Sequence, residues 1–260
     1  MFQKSYISVG SHRGLTTSKQ ANIYPNTIAA FETIHQNKAD YWECDCIMTK
    51  DQEIVLFHDA TFNNTPIIEL SSNILTQSDY QVETLDSFLN QFVNHPKQFA
   101  TTITLCLELK FYHSNDALKK IFSNNVIKIL KKFKLDKNVI IVSFDPDLLN
   151  HIYEASNTYP LGLNLKLIPK REPYNTLSKK ALNHSIISKL TYCCPHIDSL
   201  NHKSLPNLPK LIWESKGETQ ILNHLEHIIK KESLSEFFNK YNIKGFTTNA
   251  VEAVYNLIYK

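Results

Sequence analysis

Long apolar segments and clustered positive charge are both missing from this chain. No run of about 18 apolar residues, the length that spans a bilayer, occurs in it, and its first residues carry no apolar signal-peptide core. The net charge is only +3, and no lysine–arginine stripe is interleaved with aromatic residues. The sequence therefore predicts neither a stable membrane anchor nor a nucleic-acid partner. It favours a cytoplasmic protein, or one exported by a route that these criteria do not detect, and leaves the oligomeric state open.

Glycine is scarce, and the cysteines form no recognisable motif. The five glycines lie well below an average of about 7%. Gly10 and Gly14 stand on either side of His12 and Arg13, which predicts a backbone that bends there or approaches a ligand closely. The five cysteines include neither a Cys-x-x-Cys pair nor a His/Cys zinc spacing. We interpret them as buried, reduced thiols rather than zinc ligands or nucleophiles.

Strand and helix patterns alternate along the whole chain. About eight strand-then-helix units follow one another without a long linker, which favours a parallel α/β sheet. Because about 250 residues is typical of a (β/α)8 barrel, we predict a single TIM-barrel domain over 1–260, with an open doubly wound sheet as the alternative. Ser5–Val9 is predicted as the first strand, and Asn26 as the N-cap of the first helix. A short run at Ile54–His58 predicts a small hairpin insertion after the second strand.

Two carboxylates lie two residues apart on the predicted second strand. Glu43 and Asp45 should point to one face, and Cys44 and Cys46 to the other, because side chains alternate along a strand. Neighbouring carboxylates repel unless a cation or a proton intervenes. An edge strand with solvated acids would explain the pair as well, but the neighbouring residues are apolar. Oxygen ligands alone favour Mg²⁺ or Ca²⁺ over zinc.

Glu108 and Lys110 repeat this spacing at the end of the third barrel strand. Glu108 follows an apolar run, and a buried acid requires a partner. A metal ion shared with Glu43 and Asp45 would be one such partner, and a local ion pair between Glu108 and Lys110 is the alternative. Lys110 is also placed to hold an anionic substrate.

His12 and His58 are the candidates for proton transfer. Histidine has the side-chain pKa nearest neutrality, so two histidines flanking one phosphorus atom would serve as base and acid. Arg13, beside His12, offers the planar fork that binds phosphate oxygens. The remaining histidines fall mostly on polar helix faces or loops and are predicted to lie at the surface. Among them, His113 closely follows the strand that ends at Lys110.

Several motifs, taken in order, resemble the signature of the glycerophosphodiester phosphodiesterase family. The most specific lie between residues 10 and 60. The segments that carry the resemblance are His12-Arg13-Gly14, Pro25 to Phe31, Glu43-x-Asp45 with Thr49-Lys50-Asp51, His58-Asp59, Leu107 to Lys110, Ser143-Phe144-Asp145, Leu211-Ile212-Trp213 and Gly245 to Asn249.

The resemblance implies a (β/α)8 barrel hydrolase of lipid and glycerol metabolism. It would use Mg²⁺ or Ca²⁺ to convert glycerophosphodiesters to sn-glycerol 3-phosphate and an alcohol, and its partner would be this small-molecule substrate. A cyclic phosphate would form and then be opened by water, with the assignment of base and acid left open. The implied roles are metal binding for Glu43, Asp45 and Glu108, acid/base catalysis for His12 and His58, phosphate binding for Arg13 and Lys110, and a place at the pocket mouth for Trp213.

One departure from the family pattern keeps other functions open. The family usually has Pro-Glu-Asn-Thr before the first helix, whereas this chain has Tyr24-Pro25-Asn26-Thr27 after a longer loop. A non-catalytic barrel that binds a phosphodiester is therefore one alternative. Another is a lyase that acts on lysophospholipid or sphingolipid phosphodiesters and stops at the cyclic product. Apolar lips around Phe62–Ile68 and Ile168–Pro173 would serve such long-chain substrates.

Overall fold

A computed structural model describes residues 6–14, 23–35, 38–168, 173–215 and 219–260. Its strands are β1 (Ser8–His12), β2 (Tyr41–Met48), β3 (Ile54–Leu56), β4 (Thr61–Phe62), β5 (Thr65–Pro66), β6 (Thr104–Lys110), β7 (Val139–Ser143), β8 (Leu161–Leu165), β9 (Tyr192–Pro195), β10 (Lys210–Trp213) and β11 (Ile243–Thr248). Its helices are α1 (Ile28–His35), α2 (Ser72–Thr76), α3 (Leu85–Asn94), α4 (Phe99–Thr102), α5 (Asp116–Lys132), α6 (Pro146–Ala155), α7 (Tyr174–Ala181), α8 (Gln220–Ile228), α9 (Leu234–Tyr241) and α10 (Val251–Tyr259).

Eight of the strands form a closed parallel barrel. β1 pairs with β2 on one side and with β11 on the other, and β6 to β11 follow in chain order between them. Helices lie between successive barrel strands, with only the short 3-10 helix Ile197–Ser199 between β9 and β10. The predicted TIM-barrel architecture is therefore confirmed. β3 returns antiparallel along β2, and β4 and β5 form a two-stranded hairpin. These elements are the insertion predicted after the second strand. That residues 1–260 form a single domain stays a prediction.

The two faces of β2 bury opposite kinds of side chain. Trp42 points outward, where its ring packs 4.9 Å from the ring of Phe31 and 4.6 Å from that of Phe99. Cys44 and Cys46 share this apolar layer between barrel and helices. Glu43 and Asp45 therefore point into the barrel, because successive side chains of a strand alternate. The apolar layer fixes the register, and the register in turn places the acids.

The two glycines near the N-terminus meet different requirements. Gly14 has a φ of +69°, which glycine adopts without steric cost, so the predicted bend is present there. Gly10 instead accommodates the ring of Tyr41, since a Cβ atom at position 10 would lie 2.2 Å from two of its carbons. The Tyr41 hydroxyl passes over Gly10 of β1 and lies 2.8 Å from Thr247 Oγ1 on β11.

Two boundaries differ from the sequence prediction. β1 begins at Ser8, three residues later than predicted, so that His12 is its last residue; Ser5 lies outside the described residues. Asn26 is not the N-cap of α1. Its φ is +63°, and Thr27 caps the helix by accepting a hydrogen bond from the Ala30 N–H at 3.2 Å. Sequence alone does not separate these adjacent capping residues, since both types cap well.

No helix in the part of the chain that the structure describes is long and apolar enough to cross a membrane.

Candidate active site

Glu43, Asp45 and Glu108 form one buried acidic cluster. Strand pairing places Asp45 beside Glu108, and His12 beside Glu43. Because neighbouring residues of adjacent parallel strands project from the same face, this register brings the side chains together inside the barrel. One oxygen from each carboxylate lies within 4.8 Å of the others. None of the three residues is more than 7% exposed.

Two cations compensate part of this negative charge. Arg13 Nε lies 2.9 Å from Asp45 Oδ2, and Lys110 Nζ lies 3.3 Å from Asp45 Oδ1 and 2.7 Å from Glu108 Oε1. Burial alone would raise the pKa of Asp45, but the charges of Lys110 and Arg13 outweigh it and hold this pKa well below its ordinary range. The local ion pair considered for Glu108 and Lys110 is therefore formed, and it forms within the cluster.

Glu43 has no comparable partner among the described residues. Neither of its carboxylate oxygens accepts a hydrogen bond, although both are buried. Desolvation raises the pKa of Glu43 well above its ordinary value, and the charges of Asp45 and Glu108 raise it further. A buried, unpartnered carboxylate is costly, and a hard cation would remove that cost. The three carboxylates thus fit a divalent cation such as Mg²⁺ or Ca²⁺, which bind oxygen ligands.

His12 is held in one orientation by residues from the other end of the chain. Its Nδ1 lies 3.1 Å from Asn249 Oδ1. The Asn249 amide nitrogen donates to the Ser215 carbonyl at 2.9 Å, and its backbone N–H donates to Glu214 Oε1 at 2.9 Å. Because the Asn249 oxygen faces the ring, His12 Nδ1 carries the proton and Nε2 bears the lone pair. Nε2 lies 4.0 Å from Glu43 Oε2, on the acidic cluster's side of the ring.

The environment keeps the His12 imidazole neutral. Desolvation by burial, with the adjacent charge of Arg13, lowers the pKa of His12 to about 3. The orientation of the ring, rather than its low pKa, suits His12 to accept a proton, because the unprotonated Nε2 faces the acidic cluster.

His58 differs from His12 in exposure and support. It lies in the loop after β3, its side chain is 38% exposed, and its Nδ1 lies 2.7 Å from Asp59 Oδ1. Burial lowers the pKa of His58, while the Asp45 carboxylate opposes this effect. The Tyr112 hydroxyl donates to the His58 carbonyl at 3.2 Å and so ties this loop to the segment after β6. An imidazole beside a carboxylate is suited to carry and release a proton.

Asn26 holds the cluster from the loop before α1. Its amide nitrogen donates to Asp45 Oδ2 at 3.0 Å, and its amide oxygen accepts from the Asp45 N–H at 3.1 Å. The family pattern has a glutamate immediately before this asparagine, where this chain has Pro25. The absence of that glutamate does not prevent the contact between Asn26 and Asp45. Glu83 accepts a hydrogen bond from the Ile28 N–H at 3.0 Å and so places a carboxylate at the start of α1. The longer loop noted in the sequence falls mostly on residues 15–22, outside the described part.

Trp213 lines an inner cavity, which shares Glu108 with a larger outer cleft. The inner cavity has room only for small groups, about 30 Å³, and Trp213 lines it together with His12, Glu43 and Glu108. The outer cleft, of about 560 Å³, begins at Glu108 and Lys110. A phosphodiester that reached the acidic cluster would therefore have the rest of its length in the cleft.

His196 is a correction to the sequence prediction. It was expected at the surface with the other non-catalytic histidines, but it is 1% exposed. Its ring packs edge-on against Trp213 with centroids 4.7 Å apart, and its Nε2 lies 3.2 Å from Ser215 Oγ. It is buried because it directly follows β9 and pairs with Trp213 at the end of β10.

Asn249 and Glu214, which support His12, were not predicted as site residues from the sequence. Glu214 accepts hydrogen bonds from Thr248 Oγ1 at 2.6 Å and from the N–H of Ile221 at 2.8 Å. Each residue directly follows a barrel strand, β10 or β11. That position is the available signal, because active sites of this fold lie at the carboxyl ends of the strands.

Fold and site together define a (β/α)8 barrel with an acidic cluster at the carboxyl ends of its strands. The Glycerophosphoryl diester phosphodiesterase family model matches residues 12–252. The chain belongs to this family, as the resemblance in its motifs predicted.

Solved structures of low sequence identity share the fold. A glycerophosphodiester phosphodiesterase from Parabacteroides distasonis aligns with a TM-score of 0.72 at 18% identity, over 97% of each chain. An Oleispira antarctica phosphodiesterase, in complex with the product sn-glycerol-3-phosphate, aligns with a TM-score of 0.62 at 15% identity, again over 97% of each chain.

Two curated relatives match part of the chain. A glycerophosphodiester phosphodiesterase of Arabidopsis thaliana is 24% identical over 201 residues, which cover 62% of this chain and 54% of that protein. A second, from Caldanaerobacter subterraneus subsp. tengcongensis, is 25% identical over 167 residues, covering 59% of this chain and 64% of the relative. The match thus spans between about half and two thirds of the relatives' length.

Proposed function

We propose that the protein is a divalent-cation-dependent hydrolase that converts glycerophosphodiesters to sn-glycerol 3-phosphate and an alcohol. The observation that carries this proposal is the unpartnered carboxylate of Glu43, which lies in a cluster with Asp45 and Glu108 on the Nε2 side of His12. Family membership and the Oleispira antarctica structure with sn-glycerol-3-phosphate support the substrate class.

Glu43, Asp45 and Glu108 would hold the cation, as Mg²⁺ or Ca²⁺. When bound, it would supply Lewis acidity toward a phosphate oxygen. Arg13 and Lys110 lie beside the same carboxylates. The guanidinium of Arg13 and the ammonium of Lys110 would turn toward the phosphate and stabilise negative charge as it builds there. Trp213 would line the side on which the alcohol moiety sits.

His12 would act as base and His58 as acid. His12 Nε2 takes the proton of the glycerol 2-hydroxyl as its oxygen attacks phosphorus, and His58 gives a proton to the leaving alcohol oxygen. A cyclic phosphate results. His58, now neutral, then takes a proton from water, and His12 returns its proton to the 2-oxygen as the ring opens. The buried, oriented ring suits the base, and the more exposed ring beside Asp59 suits the acid.

The direct test is release of glycerol 3-phosphate from glycerophosphodiesters with and without a chelator. Activity should disappear with chelator and return with added Mg²⁺ or Ca²⁺. His12→Ala and His58→Ala should each lower kcat by about 10²–10⁴-fold. His227→Ala, which removes an exposed histidine of α8, serves as the matched control and should retain wild-type turnover.

Retention of full activity in chelator, or in both catalytic variants, would contradict the proposal. Phosphorus NMR of the products separates the hydrolase from the lyase, since a cyclic phosphate that persists would identify the lyase. Of the two apolar lips predicted for a lyase, the segment 62–68 contributes to a cavity of about 270 Å³ beside Tyr112. In the other predicted lip, 168–173, residues 169–172 lie outside the described part of the chain. A cytoplasmic location and the lack of nucleic-acid partners stay predictions.

A further inference from the structure

Backbone hydrogen bonds fix the chain on both sides of His58. Before it, the Phe57 N–H donates to the Asp45 carbonyl of β2 at 3.1 Å. After it, the Ala60 carbonyl accepts from the Ile67 N–H at 3.0 Å. Between these two anchors, the chain makes no backbone-to-backbone hydrogen bond with any other residue that the structure describes. This stretch therefore needs a further contact if His58 is to keep one position.

The hydroxyl of Tyr112 supplies that contact. It donates to the His58 carbonyl at 3.2 Å. Within the described part of the chain, no other hydrogen bond joins His58 or Asp59 to another element, because the bond between His58 Nδ1 and Asp59 Oδ1 stays inside the loop. Asp59 can therefore orient the ring only relative to the loop, whereas Tyr112 ties the loop itself to the barrel.

Tyr112 reaches the loop from the strand that carries part of the acidic cluster. It follows the last residue of β6, Lys110, by two positions. β6 is paired on both sides, with β2 and with β7, and Lys110 is held by Glu108 at 2.7 Å. Groups supported by paired strands are placed more precisely than groups supported by loops alone. Tyr112 thus fixes His58 relative to the strand end from which Glu108 projects.

We propose that Tyr112 is a positioning residue, which holds His58 where that imidazole can protonate the leaving alcohol. The assignment rests on the proposed function, in which His58 is the acid. A misplacement of about 1 Å can cost as much as 10²-fold in rate, so the loss of one tie in a short loop is expected to be felt. The ring of Tyr112 also lines the outer cleft, so this residue borders the space proposed for the alcohol.

The test compares two diesters that differ in how much their leaving group needs a proton. Choline leaves glycerophosphocholine as a poor leaving group, whereas nitrophenolate leaves the p-nitrophenyl ester of sn-glycerol 3-phosphate without protonation. Release is measured in the first turnover, because His58 acts a second time when the cyclic phosphate opens. Tyr112→Phe, which removes only the hydroxyl, should slow choline release by about tenfold, the factor for loss of one hydrogen bond. Nitrophenolate release should stay close to the wild-type rate.

Two further variants show whether Tyr112 acts through His58. In a His58→Ala background, Tyr112→Phe should not slow choline release any further, since a residue that acts through His58 then has nothing to hold. Tyr80→Phe is the matched control: Tyr80 is 52% exposed, against 59% for Tyr112, and its hydroxyl makes no hydrogen bond to a described residue. This control should release choline at the wild-type rate.

Three outcomes would overturn the proposal. Tyr112→Phe could leave choline release unchanged, could slow both leaving groups equally, or could keep its effect in the His58→Ala background. The first would show that the hydroxyl is not needed. The second and third would show a general structural role that does not act through the acid.

A measurement without turnover separates this proposal from the proposed function. In protein labelled with ¹³C at histidine Cε1, the signal of His58 is identified as the one missing from His58→Ala. Its order parameter should fall in Tyr112→Phe and stay unchanged in Tyr80→Phe. If the wild type hydrolyses neither diester, the hydrolase proposal fails, and this measurement still decides whether Tyr112 holds the ring. An order parameter that Tyr112→Phe leaves unchanged would refute that role.

Discussion

Two glutamates at the same end of the barrel are equally buried but differ in every contact. Glu214 is fully buried and accepts hydrogen bonds from the hydroxyl of Thr248 and from the N–H groups of Asn249 and Ile221. Glu43, only 4% exposed, accepts none from the described residues. The comparison teaches that burial alone does not mark a functional acid. A satisfied carboxylate stabilises the fold, whereas an unsatisfied one marks the place for a ligand.

Glu43→Gln should have the largest effect on activity. The substitution keeps the size of the side chain and removes its charge, so it should lower kcat/KM by about 10²–10³-fold, as expected when one contact is removed from a preorganised site. Without added cation, stability should not fall, because a costly buried charge is lost. Steady-state kinetics and urea unfolding on the same samples measure both. Wild-type turnover in this variant would show that Glu43 does not belong to the site.

Glu214→Ala should have the largest effect on stability. It leaves the donors of Thr248, Asn249 and Ile221 buried without an acceptor, and we expect a loss of about 2–4 kcal/mol in the free energy of unfolding. Glu226→Ala, at an exposed position of α8, is the control and should stay within about 0.5 kcal/mol of the wild type. If Glu214→Ala unfolds like this control, the assignment of Glu214 as a structural acid is wrong.

Added Mg²⁺ or Ca²⁺ should stabilise the wild type and not Glu43→Gln. A ligand that binds only the folded state at 100 times its Kd contributes about 2.7 kcal/mol. Thermal unfolding at increasing cation concentration should therefore raise Tm for the wild type, while Glu214→Gln should retain a rise because its carboxylate is not in the cluster. A rise in Tm of the same size in Glu43→Gln would place the cation elsewhere.

The smallest expected effect concerns how the free energy of unfolding depends on pH. This dependence should differ between the wild type and Glu43→Gln when both are measured in chelator. Burial raises the pKa of Glu43 above its ordinary value of 4.5. Above pH 4.5 the folded state therefore binds more protons at this residue than the unfolded state does, so its contribution to stability falls as pH rises toward the folded pKa. The variant lacks this contribution. Urea unfolding from pH 4.5 to 7 should show the steeper decline in the wild type, and parallel curves would contradict the assignment.

Local patterns were sufficient to predict the faces of β2 and much of the secondary structure. The alternation of Glu43 and Asp45 with Cys44 and Cys46 placed acids and thiols on opposite faces, as observed. The start of α9 is equally local, since a capping box forms between Ser233 and Glu236. Such features depend on neighbours within a few residues, which a sequence shows directly.

Contacts between distant positions were not predictable in this way. His12 and Asn249 are 237 residues apart, and nothing in the residues around Asn249 identifies its partner. The burial of His196 depends on its packing against Trp213. Glu43 is unsatisfied because none of its described neighbours donates a hydrogen bond to it. The resemblance to the family named the acids and histidines, but the roles of Asn26, Asn249 and Glu214 emerged from the barrel geometry.

The pairing of β1 with β11, which closes the barrel, has a consequence for synthesis of the protein. The acidic cluster uses strands from the first half of the chain, but the support of His12 comes from Asn249, just beyond the last strand. A chain still emerging from the ribosome would therefore carry the carboxylates before it could orient His12. The proposed activity would begin only once β11 has docked, so the site would remain inactive until the barrel is closed.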